Sequence, residues 1–437
     1  MSKRLKYLTI FLLIFIFFQF YKFIKIRITN LDLPKGKIVF SSDLHGDSEI
    51  YIMNLNGTEL RRLTRHSIFG TTPDTWITDA RSSFSPDGEN IVFDSNRDDK
   101  GPRRKITRYS GWLVGEESLP TFLEIYIMNS NGSNHTRLTY NQVNNFAPVF
   151  SSDGKRILFS VVPSIKNPFY EQIKIINPDG TGERIIASGR LISRSARFSP
   201  DSKKVFFVSR GDLYTVDINT GNLIRLTQFN LQNIEAPDAV ESLLYIEDYA
   251  ISPDGQNITL VTRERKCLQF ILYSMKANGS NLKEIFRLNN PSNLLYIAII
   301  EDLKYSPDGQ KVALIADFNL DNKLFYILDR NNNLTFIKNL NDLDMERDCF
   351  IFTPDNKRII FIVEYPYGLF NDWYAWVKST IHNVTGNLGY SIFRRLFTVP
   401  FDNKYLCIMD IDGRNFRKIT KLPVGAEFGR DFIHWEK

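Results

Sequence analysis

Histidine and cysteine are scarce in this sequence, and the motifs of several enzyme classes are missing. The 437 residues include five histidines and three cysteines. The chain has no His-x-His or His-Glu-x-x-His pattern, no Gly-x-Ser-x-Gly elbow and no glycine-rich phosphate loop. These absences exclude the familiar zinc-peptidase, serine-hydrolase and nucleotide-binding signatures, and we predict neither a metal nor a cofactor.

Beyond the N-terminus, the chain also lacks an excess of positive or negative charge. The formal net charge is +6. The first 27 residues carry all of this excess on six basic side chains: Lys3, Arg4, Lys6, Lys22, Lys25 and Arg27. Because the remainder is nearly neutral, the sequence argues against a nucleic-acid-binding surface.

An apolar run near the N-terminus predicts a membrane segment. Tyr7 to Tyr21 is almost wholly apolar, and no small-residue cleavage site follows it. We predict a basic flank at residues 1–6, an uncleaved signal anchor or transmembrane helix at 7–24 and a linker at 25–36. A cleaved signal peptide is the alternative.

A tight turn recurs six times, and each copy is followed by an apolar run. Pro fixes φ, Asp bonds its own backbone, and Gly or Asn accepts a positive φ, so each copy predicts a β-hairpin. The spacings are 66, 48, 53, 54 and 47 residues, a period typical of propellers. The turns begin at Ser85, Ser151, Ser199, Ser252, Ser306 and Thr353.

A second repeated element completes a four-stranded unit. The segment Glu49-Ile-Tyr-Ile-Met-Asn54 recurs as Glu124-Ile-Tyr-Ile-Met-Asn129, and both copies run into an Asn-Gly turn and an Arg-Leu-Thr strand. The unit is a propeller blade. We predict an all-β, seven-bladed β-propeller at residues 37–437, with six blades as the alternative. A C-terminal strand near Asp431 is expected to complete the blade that Lys37 opens.

These repeats resemble those of the TolB-type propeller proteins. The resemblance rests on the Ser-Pro-Asp-Gly turns, the Ile-Tyr-x-Met-Asn strands and the Arg-Leu-Thr runs, and it covers nearly all of residues 37–437. It implies export to the periplasm or cell surface. TolB itself has a cleaved signal, an additional N-terminal α/β domain and six blades, and this sequence departs from that pattern on all three counts.

Two repeats carry long insertions between their second and third strands, at residues 96–123 and 364–404. Both are expected to rise from the same face of the propeller, which we call the insert-bearing face. They could simply pack on the rim, or they could form a recognition surface, because Trp, Tyr and Arg are enriched at binding hot spots. The candidate recognition residues in them are Arg104, Arg108, Trp112, Trp373 and Trp376.

The start of the inner strands suggests a second candidate site. Aligned on the turns, the position five residues before each turn predicts an acidic arc of Glu247, Glu301, Asp348 and Asp431, with Arg194 at the same position of another blade. Such an arc would attract a cation or a basic peptide. Alternatively, each carboxylate caps backbone amides or pairs with a nearby arginine.

We therefore expect a membrane-anchored, exported propeller that binds a protein or a polysaccharide of the cell envelope. An enzymatic role is the less favoured alternative: a carbohydrate-active lyase or hydrolase whose candidate residues are Asp43, His45, Asp47 and Asp431. A structural subunit of an envelope complex is a further alternative.

Overall fold

Strands and turns make up the described part of the chain. In the computed structural model, this part comprises residues 33–44, 47–65, 77–98, 108–109, 112–113, 122–141, 143–163, 170–190, 196–229, 244–264, 270–288, 298–318, 322–339, 344–364, 404–423, 426–428 and 432–436. Within these ranges, no helix is long and apolar enough to cross a bilayer. The predicted anchor at residues 7–24 lies outside them.

Seven four-stranded antiparallel sheets form the blades of a propeller, which confirms the seven-bladed prediction over six. Blade one contains β1 (Gly36–Ser42), β2 (Glu49–Asn54), β3 (Arg61–Arg62) and β30 (Ile433–Trp435). Blade two contains β4 (Asp79–Phe84), β5 (Asn90–Ser95), β8 (Glu124–Asn129) and β9 (Thr136–Arg137). A short hairpin, β6 (Arg108–Tyr109) and β7 (Trp112–Leu113), lies within the first insertion.

The remaining five blades each use four consecutive strands. Blade three contains β10 (Asn144–Phe150), β11 (Ile157–Val162), β12 (Tyr170–Ile176) and β13 (Arg184–Arg190), and blade four contains β14 (Arg197–Phe198), β15 (Lys204–Ser209), β16 (Asp212–Asp217) and β17 (Leu223–Arg225). Blade five contains β18 (Leu244–Ile251), β19 (Asn257–Glu264), β20 (Phe270–Lys276) and β21 (Lys283–Leu288). Blade six contains β22 (Ala298–Tyr305), β23 (Lys311–Phe318), β24 (Asn322–Asp329) and β25 (Leu334–Asn339). Blade seven contains β26 (Asp344–Phe352), β27 (Arg358–Glu364), β28 (Lys404–Asp410) and β29 (Arg417–Lys421).

The Ser-Pro-Asp-Gly turns have the predicted hairpin chemistry. In blade two, the Ser85 hydroxyl donates to Asp87 at 2.5 Å and accepts from the Asn90 amide at 2.9 Å. Gly88 has a φ of +74°, which glycine adopts at no steric cost, and its amide donates to the Ser85 carbonyl at 2.9 Å. These hydrogen bonds close the inner strand onto the second strand.

The two ends of the propeller meet in blade one. Strand β30 pairs antiparallel with β1, matching Ile38 with Ile433 and Gly36 with Trp435. The predicted closure by a C-terminal inner strand is therefore confirmed. Gly57, in the outer turn of this blade, has a φ of +83° and lies so close to Thr420 of blade seven that a Cβ there would collide with it. The outer part of blade one is therefore closely packed against blade seven.

The hydrophobic core lies between successive blades. Between blades one and two, Val39, Ile52 and Leu63 pack with Phe93 and Met128. Similar clusters fill the junctions of blades two and three, three and four, four and five, and five and six. Each blade therefore depends on its neighbours for burial, as expected of a radial repeat.

Candidate functional site

The loop between β1 and β2 lies against the base of the first insertion. Within this loop, Ser48 accepts from the Asp79 amide at 2.9 Å through its carbonyl, and its hydroxyl donates to the Asp79 carbonyl at 3.0 Å. The Thr78 amide donates in turn to the side chain of Asn96, the first inserted residue, at 2.7 Å. The structure therefore places Ser48, which follows Asp47, beside the start of the first insertion.

An ion pair fixes the next inserted residue. The Arg97 guanidinium lies 2.6 Å from the carboxylate of Asp79, whose side chain is fully buried. The same guanidinium stacks over Phe93 and Tyr126, with its carbon 4.9 and 5.1 Å from the two ring centroids. A desolvated ion pair and two cation–π contacts hold the start of the insertion against blade two.

A hydrogen bond from the blade holds the residue after Arg97. The Tyr126 hydroxyl donates to the Asp98 carboxylate at 2.7 Å. Burial raises the pKa of Tyr126, and the hydrogen bond to Asp98 raises it further. The phenol therefore stays protonated at neutral pH and remains a donor. Arg97 and Asp98 together make a fixed base for the first insertion, and the sequence patterns did not single out either residue.

Buried carboxylates at the start of the third strands explain the Arg-Leu-Thr repeats. In blade two, Glu124 accepts from Arg137 at 2.8 Å and from the hydroxyl of Thr139. The Thr139 hydroxyl also accepts from the Ile125 amide at 2.9 Å, which ties the fourth strand to the third. These side chains are structural latches. Equivalent latches join Glu49 to Arg62, and Asp212 to Arg225 and Thr227.

The predicted acidic arc is neutralised where the structure describes its side chains. Glu247 sits at a bulge of β18 and forms an ion pair with Arg263 of the neighbouring strand at 2.7 Å. The carboxylate after it, Asp248, pairs with Arg197 of blade four at 2.9 Å. Asp302 of blade six pairs with Lys304 at 2.8 Å. Glu247, the arc residue whose side chain the structure describes, and its neighbour Asp248 are thus paired with arginines, whereas Asp302 is paired with a lysine.

The strand register corrects the alignment that placed Asp431 in the arc. Ile433 pairs with Ile38 as Phe84 pairs with Ile91, so Ile433 is the equivalent of Phe84. Placing Asp431 in the arc required Trp435, two residues later, to be that equivalent. Ser41 forms a β-bridge with Glu427, and the equivalent residue of blade two, Asp94, pairs with Ala80. Glu427 therefore holds the arc position in blade one. Spacing from the strand end could not reveal it, because Glu427 lies six positions before Ile433, whereas Ala80 lies four positions before Phe84.

The other predicted residues are only partly described. Asp43 and Asp47 are half-buried in the loop of blade one. Burial and, to a smaller extent, the negative charge of Asp43 raise the pKa of Tyr51 to about 12. Arg108 and Trp112 lie in the β6–β7 hairpin, and Glu301 and Asp348 lie in β22 and β26. The following predicted residues fall outside the described ranges: His45, Arg104, Arg194, Trp373, Trp376 and Asp431.

Among the described residues, no group of three or more His, Cys, Asp and Glu side chains could hold a metal ion.

Comparisons with known proteins place this geometry among the propellers. No family model matches the chain. It is 26% identical over 344 residues to Dipeptidyl-peptidase 5 of Porphyromonas gingivalis, covering 67% of this chain and 46% of that protein. It is 27% identical over 190 residues to a Protein TolB homolog of Chlorobium luteolum, covering 43% of this chain and 35% of that protein. The chain thus spans less than half the length of these curated relatives.

The solved structures agree on the fold. An oligogalacturonate lyase in complex with manganese superposes with a TM-score of 0.50 at 11% identity, covering 89% of this chain and 85% of that chain. The molecule is thus a β-propeller. Its repeats are similar to those of the TolB homologues, which supports a TolB-like β-propeller.

Proposed function

We propose that this protein is an exported binding or scaffolding module that engages a protein or a cell-envelope polymer through its insert-bearing face. The resemblance to TolB supports export, and the apolar run at residues 7–24 supports attachment to a membrane. The inserted segments supply the contact surface, with Arg104, Arg108, Trp112, Trp373 and Trp376 as its candidate anchors.

The fixed base of the first insertion is the observation that carries this proposal. Arg97 is held by the buried carboxylate of Asp79 and by two aromatic rings, and Asp98 is held by Tyr126. A rigid scaffold that presents long, aromatic loops lowers the ordering cost of binding. Buried carboxylates at this face, such as Asp79 and Glu124, instead serve the scaffold, because each forms an ion pair with an arginine.

Removing the aromatic anchors tests the proposal. We expect the double variant Trp373→Ala, Trp376→Ala to lose a partner that the wild-type full-length protein captures from envelope extract. The partner is identified by photo-crosslinking from residue 109 and mass spectrometry. The matched control is the double variant Ile224→Ala, Phe336→Ala, which removes apolar side chains that are 44% and 52% exposed on outer strands. Equal loss of capture in both variants would contradict the proposal.

An activity assay on the same full-length protein distinguishes the enzymatic alternative from the binding function. Turnover of an envelope polysaccharide that is abolished by Asp43→Asn or Asp47→Asn, with partner capture unchanged, would favour a lyase or hydrolase. We expect no such turnover.

A further inference from the structure

Arg81 lies at a bulge of the inner strand of blade two. The pairing of β4 with β5 shifts between Ala80 and Ser83, and Arg81 between them has a φ of +48°. In blade three, the corresponding bulge contains Ala147 with a φ of +53°. This region of φ is unfavourable for residues with a Cβ, and bulges commonly re-aim a side chain near functional sites. The bulge therefore sets the direction of the Arg81 side chain.

A buried carboxylate pins one end of this guanidinium. Nη1 of Arg81 donates to both oxygens of Asp94, at 3.2 and 3.1 Å, and Asp94 is completely buried. Asp94 also accepts from the Ala147 amide of blade three at 2.9 Å. The guanidinium carbon lies 5.7 Å from the centroid of the Phe146 ring. Arg81 is thus preorganised by contacts from two blades.

The opposite edge of the guanidinium is available. Nε and Nη2 of Arg81 make no hydrogen bond to any described residue, and the side chain is 45% exposed. The corresponding exposures of Arg97 and Arg197 are only 14% and 23%. An arginine fork of this kind matches a carboxylate in a planar, bidentate geometry.

Blade one contributes an opposing charge. Glu427 bridges to Ser41 through its backbone, its side chain is exposed, and its carboxylate contributes to raising the pKa of Arg81. The Glu427 carboxylate carries the same charge as an anionic ligand, so we expect it to weaken the binding of an anion beside Arg81. Arg81 consequently has neighbours on blades one, two and three, among the inner strands that surround the propeller axis.

We propose that Arg81 is a recognition residue that binds a carboxylate group of the ligand at the insert-bearing end of the propeller axis. Asp94 acts as its positioning residue, and Glu427 limits the affinity for anions. This inference rests on the proposed binding function and names the chemistry that the partner must carry. A peptide side chain or terminus and a uronic acid are the two sources of that chemistry.

Matched probes test this proposal in the full-length protein. Hexaglutamate is compared with hexaglutamine by fluorescence anisotropy, and D-glucuronate with D-glucose by saturation-transfer NMR. Each pair differs in its carboxylates, and the two arms separate the peptide source from the sugar source. Binding of either acidic probe, but not of its neutral partner, is the expected result. Absence of binding in both arms would overturn the proposal.

Variants assign the binding to Arg81. We expect Arg81→Gln to weaken the bound acidic probe about tenfold or more, and Arg81→Lys to weaken it less, because lysine keeps the charge but loses the fork. Glu427→Gln should strengthen binding about two- to threefold while leaving the melting temperature unchanged, because it removes a partly screened like charge. A purely structural Arg81 would not produce that gain.

The control is Arg414→Gln, which alters an arginine that is 80% exposed in an outer turn of blade seven. Equal losses of affinity in Arg81→Gln and Arg414→Gln would show non-specific charge attraction and overturn the proposal. If Arg81→Gln unfolds, Arg81→Lys and Glu427→Gln still decide the outcome. Loss of partner capture in the tryptophan variant, with hexaglutamate binding unaffected by Arg81→Gln, would refute this inference and leave the proposed function standing.

Discussion

Arg197 of blade four clamps the inner strand of blade five by stacking on Tyr249 and donating a hydrogen bond to its main-chain carbonyl. The guanidinium carbon lies 5.0 Å from the ring centroid. Two blades further on, Lys304 repeats the arrangement, with its Nζ 5.2 Å from the Phe350 centroid and 2.7 Å from the Phe350 carbonyl. A cation two residues before the Ser-Pro turn thus joins successive blades at equivalent positions.

The Arg197 clamp should contribute to stability. Replacing Arg197 by Met removes its ion pair with Asp248, whose side chain is 12% exposed, and its hydrogen bond to the Tyr249 carbonyl. We expect a loss of about 1–3 kcal/mol in the free energy of unfolding, measured by urea denaturation. Arg414→Met, at an exposed turn, is the matched control and should change it by less than about 0.5 kcal/mol. Equal effects of the two substitutions would contradict the clamp.

The C-terminal strand should be essential for closure. Deleting residues 430–437 removes β30 and exposes the backbone edge of β1, which pairs with Ile433 and Trp435. We expect aggregation or a melting temperature lowered by more than 10 °C, roughly the consequence of losing several kcal/mol in a domain of this size. The control Glu436→Gln removes only an exposed ion pair with Lys37 at 3.4 Å and should melt normally. An unchanged melting curve for the truncated protein would refute closure by this strand.

The acidic arc should respond differently to two kinds of measurement. Changing Glu247, Glu301 and Asp348 to their amides should weaken the binding of a cationic peptide, with a smaller effect at high salt. Because Arg263 pairs with Glu247 at 2.7 Å, Glu247→Gln alone should also cost about 1 kcal/mol of stability. Glu284→Gln, which breaks an ion pair with both side chains 41% exposed, is the control for stability. Unfolding of the triple variant would show that these carboxylates are structural only.

Acid should destabilise the propeller through its turns. Hydrogen bonds from Ser85, Ser199 and Ser252 are the main cause that lowers the pKa of Asp87, Asp201 and Asp254 below the ordinary 3.8. A carboxylate with a lowered folded pKa stabilises the fold above its unfolded pKa, and this contribution is lost as the pH falls through the folded value. The urea midpoint should therefore decline below about pH 4.

The variant Ser252→Ala checks the cause of that decline. It removes the hydroxyl that donates to Asp254 at 2.5 Å and accepts from the Asn257 amide at 2.9 Å. We expect lower stability at pH 7 and a shallower decline between pH 4 and pH 2. A decline as steep as in the wild type would show that this turn does not contribute to acid sensitivity.

The repeats alone allowed the strands, the turns, the blade number and the closure to be predicted. Each turn carries its own chemistry, since the Ser-Pro-Asp-Gly side chains bond within the turn, as Ser85 and Asp87 do. The copies of Glu49–Asn54 established the register of the third strands in the same way. Because such interactions are local, they produce a recurring pattern in the sequence. Interruptions of this pattern gave the predicted positions of both insertions.

The contacts between blades were decided by the tertiary structure. Arg81 and Ala147 are 66 residues apart in sequence, yet both bond to Asp94. No glycine, proline or asparagine marks the position of the bulge that directs Arg81, so the sequence did not predict it. In blade one, the β-bridge between Ser41 and Glu427 likewise places Glu427 at the arc position, which the spacing in the sequence assigned to Asp431. The sequence by itself therefore determined the blades, whose strands and turns depend on neighbouring residues, whereas the fold decided which charged groups meet, because bulges and blade junctions depend on packing between distant segments.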